Sequence, residues 1–380
     1  MQIFEGHSNH HNAVKAIDEA VQGWTDNGPY KPDIIFVFHS SDQNSDDIAA
    51  ELIKRYPASL IAGCTTAGEW CTGQYQKGSL VLCAISSDKI KWSLEHIESL
   101  NDFSTQKAQE IFDSLLGQLN IGRSDLTPKR HFCIGLTDGL VGLDGTVAAT
   151  MANELGNVPF LGGVAGDDLK FEKTQVISNG KAYAGGAVFV LAECDIPFYE
   201  IKHQHFIPDE VSVVVSKAVE DERRVLRLDG MPAAERYAQL IGHTVEDLNF
   251  QIFSEHPVIY RHGNENYVRT IYQVGEDNSL IFYCTVEEGM VLNLCKHQDM
   301  STELDNLANE IIQGIGSSQL LLMCNCSFRS LEADGKNQNQ KLAKIAAKMA
   351  NHVIGFDTYG ELWNGLHMNQ TLVALAIGQK

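Results

Sequence analysis

The chain is short of positive charge. Lysine and arginine total 29 against 49 aspartates and glutamates, a formal net charge of −20 over 380 residues. Nucleic acid and anionic membrane both need basic patches, so this balance argues against either as a general partner. Long apolar runs are missing too, and nothing approaches the ~18 residues that span a bilayer. No leader opens the chain, because Met1 to Asn12 is polar and carries His7, His10 and His11, which reads as a solvated terminus. Neither a Gly-x-x-x-x-Gly-Lys loop nor a Gly-x-Gly-x-x-Gly turn opens a helix after a strand, which excludes the common nucleotide-binding loops. The nine cysteines are odd in number and sit mostly in apolar runs such as Leu80 to Ile85. Buried free thiols in a reducing cytoplasm are the expectation.

What is present is a repeat. Ile61 to Trp70 (Ile-Ala-Gly-Cys-Thr-Thr-Ala-Gly-Glu-Trp) recurs as Val353 to Leu362, at an offset of 360 − 68 = 292 residues. Between positions 63 and 85, nine of 23 residues equal their partners 292 further on. Two unrelated buried strands would share apolar character but not glycine, threonine and glutamate at fixed places, so the repeat indicates an internal duplication. A looser third pass runs through strand His131 to Leu136, helix Thr146 to Leu155, the glycines of 162–166 and strand Ala187 to Ala192. At 380 residues the chain exceeds one ordinary core. An extension with a first helix over 1–30 and domains over 31–197 and 198–380 are expected, with the boundary near Pro197.

The remaining elements follow from periodicity and turn chemistry. Asp33 to Phe38 reads as a strand buried on both faces, Ser45 to Tyr56 and Thr105 to Leu119 as amphipathic helices. Val211 to Val215 and Arg224 to Leu228 flank a charged turn and read as a hairpin. A helix begins at Pro232 and ends near Ile241, with Gly242 as C-cap. Val258 to Tyr260, Tyr267 to Val274 and Leu280 to Val286 read as antiparallel strands, Ser301 to Ile315 and Asn339 to Met349 as helices, and Gln319 to Cys324 as a buried strand.

Four motifs in this order, Gly63 to Glu69, Gly162 to Asp167, Leu228 to Ala233 and Gly355 to Glu361, resemble the FIST proteins over about Lys31 to Gly378. The resemblance implies an α/β fold: two related FIST domains with mixed, largely buried β-sheets flanked by helices. It implies a cytoplasmic sensory module, not an enzyme. The two-domain layout without a fused kinase resembles the NosP-type subgroup. That subgroup implies b-type heme, nitric oxide as the gas, and a partner histidine kinase or cyclic-di-GMP enzyme. A sensor of amino acids or another small metabolite is the rival reading, and a homodimer is compatible with either. A cysteine-dependent enzyme built on Cys64, with His39 as base, is the rival from another class.

A heme sensor needs an axial ligand beside an apolar slot. Cys-x-x-Cys-His is absent, so heme would be held without thioether bonds. His262, next to Arg261, is the first candidate for the iron. His243 follows a helix C-terminus, where a cation is favoured whatever its role, and His256 precedes Pro257. Arg261, Arg269 and Arg329 are candidates for a propionate or an amino-acid carboxylate. His203 and His205 would suit a metal if a third ligand converged. Cys324 and Cys326 have no second pair, so buried thiols are expected there instead of zinc. Glu69 and Glu361 either cap backbone N–H groups or line a pocket, and the first is favoured.

Overall fold

The computed structural model describes residues 1–24, 31–263, 265–316 and 318–379, with the His262 side chain outside the described part. Its architecture is mixed α/β. Three units share one plan. In the first, the apolar run Ile34–Ser40 pairs parallel with Leu60–Thr66, and Leu80–Ser86 pairs antiparallel with Ile34–Ser40. Every residue of Ile34–Ser40 is buried, as a strand covered on both faces requires. Its crossover helix Ser45–Arg55 starts where the Asn44 side chain accepts from Asp47 N, with Asp46 and Asp47 in the first turn and Lys54 and Arg55 in the last. Those charges complement the helix dipole. The second unit repeats this with His131–Thr137, Phe160–Val164 and Ala187–Cys194. The third repeats it with Ser318–Cys326, Ala350–Thr358 and Leu372–Gly378.

Each unit gives a hairpin away. Glu69–Cys71 and Gln74–Gln76 leave the first unit and pair on Ala350–Thr358 of the third. Glu361–Trp363 and Leu366–Met368 leave the third and pair on Phe160–Val164 of the second. Val176–Ser178 and Lys181–Tyr183 leave the second and pair on Leu60–Thr66 of the first. The exchange closes a ring. Among the described residues this yields three six-stranded sheets, and a fourth sheet of eight strands lies between Phe206 and His297. In that sheet the long strand Phe206–Val219 pairs with Val291–His297 on one side and Arg224–Leu228 on the other. Its core of Val213, Val215, Tyr237 and Phe253 continues into Cys326 and Phe328 of the third unit.

Several expectations change. Met1 to Asn12 is not a solvated terminus: Gln2–Ser8 pairs antiparallel with Leu80–Ser86 and Ile3 is buried. That strand covers an edge the first sheet would otherwise expose. The glycine-rich stretch is strand, not bend, as far as Thr66. Gly63 lies opposite Val37, and a Cβ there would meet Val37 O at 1.9 Å, so the glycine allows close approach of two strands. Tyr267 to Val274 is broken at Thr270, with Glu265–Arg269 and Ile271–Val274 at opposite edges of the inserted sheet. The helix Ser327–Gly335 and the strands Ile90–Ile97 and Val291–His297 have patterns too mixed to be read from periodicity.

Two glycines should respond oppositely to a side chain. Gly63→Val drives Cβ into backbone that cannot retreat, and should cost about 3 kcal/mol or more. Gly117, on the exposed side of helix Thr105–Leu119, has open space around it. Gly117→Ala should add up to about 1 kcal/mol. Urea unfolding reads both, and a Gly63→Val protein as stable as wild type would remove the close-approach argument.

Candidate functional site

A cavity of about 380 Å³ opens where the inserted sheet faces the second and third units. That volume is at the small end of the range for ligand pockets. Its walls are aromatic: Tyr272, Phe282 and Tyr283 from the inserted sheet face Phe171 and Tyr359 from the ring of units. Phe171 stacks on Tyr359 with ring centres 4.7 Å apart. Tyr359 donates its hydroxyl to Asp167, which also accepts from the backbone N–H groups of Phe171, Glu172 and Lys173. The loop that presents Phe171 is therefore fixed before any ligand arrives.

Arg223, Asp144, His367 and the Tyr283 hydroxyl bring polar groups to this cavity. Arg223 holds a left-handed backbone conformation (φ 51°) after the turn Glu220–Glu222. It donates to Tyr283 O and, at 3.2 Å, to Gly142 O, which leaves other donors of its five-N–H fork for a ligand. His367 binds Asp144 Oδ2 through Nδ1 at 2.8 Å, and Gly360, lacking a side chain, makes room for the ring. Burial alone would raise the Asp144 carboxyl, but His367 and Arg223 beside it bring it down to about 2. His367 Nε2 and the Tyr283 hydroxyl are buried without a hydrogen-bond partner. Both atoms face the same cavity, where a polar group of a ligand could pair with them.

The residues singled out in the sequence are scattered. Arg261 is exposed on a shallow groove beside Glu287 and Glu288. Arg269 lies over Tyr260 and Tyr267, 5.8 Å from each ring centre. The His262 side chain lies outside the described residues. His243 and His256 do meet, with ring centres 5.8 Å apart, and His297 joins them 6.1 Å from His256. Arg329 is buried, donating from Nε to Asn325 at 3.0 Å and from Nη1 to His205 Nδ1 at 2.9 Å. Sequence reading missed Arg223, Tyr283, His297 and His367. A charged turn, a strand and a short hairpin gave no sign that they converge on anything.

His205, His297 and Glu332 bring their ligand atoms within 4.8 Å of one another, which invites a metal. The proton positions argue otherwise for His205. Arginine only donates, so His205 Nδ1 must accept, and Nε2 must carry the proton it gives to Glu332 Oε2 at 2.7 Å. Both ring nitrogens are taken. Glu332 also meets Lys336 at 2.6 Å, so cations already neutralise it. His203 does not share a strand with His205, because Phe198–His203 ends before it. Cys64 is fully buried, and desolvation with Cys324 nearby pushes its thiol well up, away from the thiolate a nucleophile needs. Burial lowers His39 to about 4, and its Nδ1 is tied to Ser40 O at 2.8 Å. Cys324 and Cys326 are free, buried thiols.

The two repeated glutamates cap backbone N–H groups. Glu69 Oε2 accepts from Ser79 N at 3.0 Å and Ser79 Oγ at 2.7 Å. Glu361 Oε2 accepts from Thr371 N at 3.0 Å and Thr371 Oγ1 at 2.5 Å, ten residues on in both copies. Burial outweighs these bonds and raises each carboxyl to about 8.

Two family models match the chain, the FIST N domain over residues 33–231 and the FIST C domain over residues 233–364. An uncharacterized protein of Methanocaldococcus jannaschii is 23% identical over 344 residues, covering 80% of this chain and 64% of that protein. The chain thus spans less than two thirds of the length of that curated relative. Among solved structures, a cyanuric acid hydrolase is similar over 54% of this chain and 72% of its own, at 8% identity and a TM-score of 0.30. No helix among the described residues is long and apolar enough to cross a membrane.

The raised glutamates predict a pH dependence. Between the ordinary 4.5 and about 8 the folded chain holds a proton on Glu361 that the unfolded chain has lost. Stability from this group is therefore complete below pH ~4.5 and declines as pH rises towards 8. Glu361→Gln keeps the neutral shape and removes the titration. Urea unfolding at pH 5 and pH 8 should show the variant gaining on wild type by roughly 2–4 kcal/mol at the higher pH. Parallel curves would mean that Glu361 is ionised in the fold.

Proposed function

Since the chain belongs to the FIST family, we propose that it is a sensory protein whose small ligand, an amino acid or another compact anionic metabolite, occupies the aromatic cavity. FIST domains are sensory ligand-binding modules of signal transduction. The observation that carries the ligand class is Arg223 beside two unpaired polar atoms in an otherwise aromatic cavity. A guanidinium anchors a carboxylate, the orphaned atoms take its polar substituents, and the rings cover its apolar part. On this reading the output passes to a separate signalling enzyme, a histidine kinase or a cyclic-di-GMP enzyme.

One feature favours a second reading, b-type heme sensing nitric oxide. Asp144 holds His367 by Nδ1 and leaves Nε2, the arrangement by which carboxylates orient metal-ligating imidazoles. His367 would then hold the iron and Arg223 a propionate, and heme would supply the gas-binding centre. His243 and His256 are less suited, because they stand among other half-exposed imidazoles and line no part of the aromatic cavity.

Thermal melting with a panel of amino acids and small carboxylates separates these readings from hemin titration followed in the Soret region. A ligand at 100 times its Kd should stabilise the fold by about 2.7 kcal/mol, and Arg223→Ala should abolish the shift. A stoichiometric Soret band lost in His367→Ala would select heme. If neither ligand class binds, or if binding survives both substitutions, the cavity is not the sensory site.

A further inference from the structure

A polar cavity of about 460 Å³ lies in the first unit, where the parallel strands Ile34–Ser40 and Leu60–Thr66 end and helix Ser45–Arg55 begins. Ligands of α/β sheets gather at this end of the strands. The aromatic cavity holds the matching place in the second unit, beside Val164 at the end of its strand and Asp144 at the start of its helix. In the third unit the place is closed. Asn325 donates to Asp357 and to Ser330 at 2.9 Å each, and Trp70 and Tyr75 of the first unit's hairpin cover the acid.

Side-chain bonds hold the polar corner in shape. Ser40 and Ser41 each donate a hydroxyl to Asp168 Oδ2 at 2.8 Å, and Asn44 caps the helix by accepting from Asp47 N. Gln43 is 3% exposed and donates Nε2 to His10 O at 2.9 Å. A carbonyl only accepts, so this bond fixes the amide and leaves the oxygen over. Gln43 Oε1 is buried with no hydrogen-bond partner among the described residues, and so is Oγ of Ser45, which is 2% exposed. Both residues line the cavity. Gln43 thus lacks a donor, and the Ser45 hydroxyl can give or accept a bond.

The charges narrow the ligand from both sides. Lys170 and Asp42 cancel each other at 2.6 Å. Asp46 and Glu172 then repel an anion, and an ionised carboxylate brings no donor for Gln43 Oε1. The positive end of helix Ser45–Arg55 and Lys173 repel a cation. What remains is uncharged. Every residue of this wall is polar, so it offers nothing to an apolar group, unlike the aromatic cavity. A hydroxyl supplies donor and acceptor on one atom.

We propose that this corner of the first unit binds a small uncharged polyol, a sugar or sugar alcohol, with one hydroxyl donating to Gln43 Oε1 and another engaging Ser45 Oγ. The loop over residues 167–173 walls both cavities, with Phe171 on the aromatic one and Lys170, Glu172 and Lys173 on the polar one.

Full-length protein should be titrated with glycerol, erythritol, ribitol, ribose and glucose by calorimetry and saturation-transfer NMR, with phosphate and putrescine as charged probes. At least one polyol should bind saturably at one equivalent, and neither charged probe should. Ser45→Ala should weaken that binding about 10-fold, the worth of about one hydrogen bond. Its hydroxyl has no partner within the described fold, so the variant should melt as wild type does. Gln43→Leu should weaken binding at least as much, and should it fail to fold, Ser45→Ala carries the test. Arg223→Ala, in the aromatic cavity, should leave polyol binding unchanged, which separates this site from that one. The proposal is overturned by a panel in which no polyol saturates, or by folded Ser45→Ala protein that binds as tightly as wild type. Polyol binding lost in Arg223→Ala, or phosphate or putrescine binding that depends on Ser45, overturns it equally.

Discussion

Asp357 is held by a hairpin that belongs to another unit. Trp70 Nε1 donates to it at 2.7 Å and the Tyr75 hydroxyl at 2.8 Å, while Asn325 donates from the neighbouring strand at 2.9 Å. The carboxyl is fully buried, and burial raises it against the pull of these bonds. A buried carboxylate stripped of its donors costs several kcal/mol, so the third unit cannot keep Asp357 where it is without the first unit's hairpin. Gly68 makes the contact possible, because a Cβ there would lie 2.7 Å from Asp357 Oδ2. The other two exchanges share the strand pairing but not this acid. Thr358 instead bridges to Val164 of the second unit, accepting from its N–H and donating to its carbonyl, both at 2.7 Å.

Such exchange makes the three units mutually dependent, and it places function at their borders. Within each unit, parallel strands and crossover helices are consumed in burial. Polar side chains that keep a free donor or acceptor beside their internal partners are left where a unit meets the inserted sheet. Arg223, Tyr283 and His367 come together in this way, and so do His256 and His297. The Arg329–His205–Glu332 network sits at the same border but is closed on itself. With Glu332 held low by the donors around it despite burial, that network is a structural clamp between inserted sheet and ring.

The repeat at Gly63 and Gly355 was legible because it is written in residue types that only geometry explains. Even so, sequence assigned those glycines to bends when their places are paired strands. The helix Thr105–Leu119 was legible from its apolar stripe, and Gly242 as a cap from its position after one. The exchange of hairpins was not. Glu69–Cys71 and Glu361–Trp363 are three residues long, and a strand that short does not announce its partner. The cavity was hidden for the same reason, since Tyr283 and His367 lie 84 residues apart and meet only through the exchange. Arginines chosen from sequence as ligand anchors include Arg329, whose neighbours Phe328 and Ser330 give no sign that it is buried against Asn325 and His205.

The cavity and the histidine row hang on one short helix. Phe250, its first residue, stacks on Phe171 at 6.0 Å and meets Tyr272 at 6.2 Å, both of them cavity walls. His256, its C-cap, is the centre of the imidazole row. Six helical residues rise about 9 Å, so a ligand that moved the aromatic wall would act on the histidines through a rigid lever of that length. Phe250 also packs edge-on against Phe328, whose chain neighbour Arg329 anchors the clamp. Coupling between sites requires an element that both can bias, and it is reciprocal in free energy. Phe250–Glu255 touches both places, which is contact and not yet coupling. Its few buried side chains, Phe253 and Ser254, fix it less firmly than the strands it bridges.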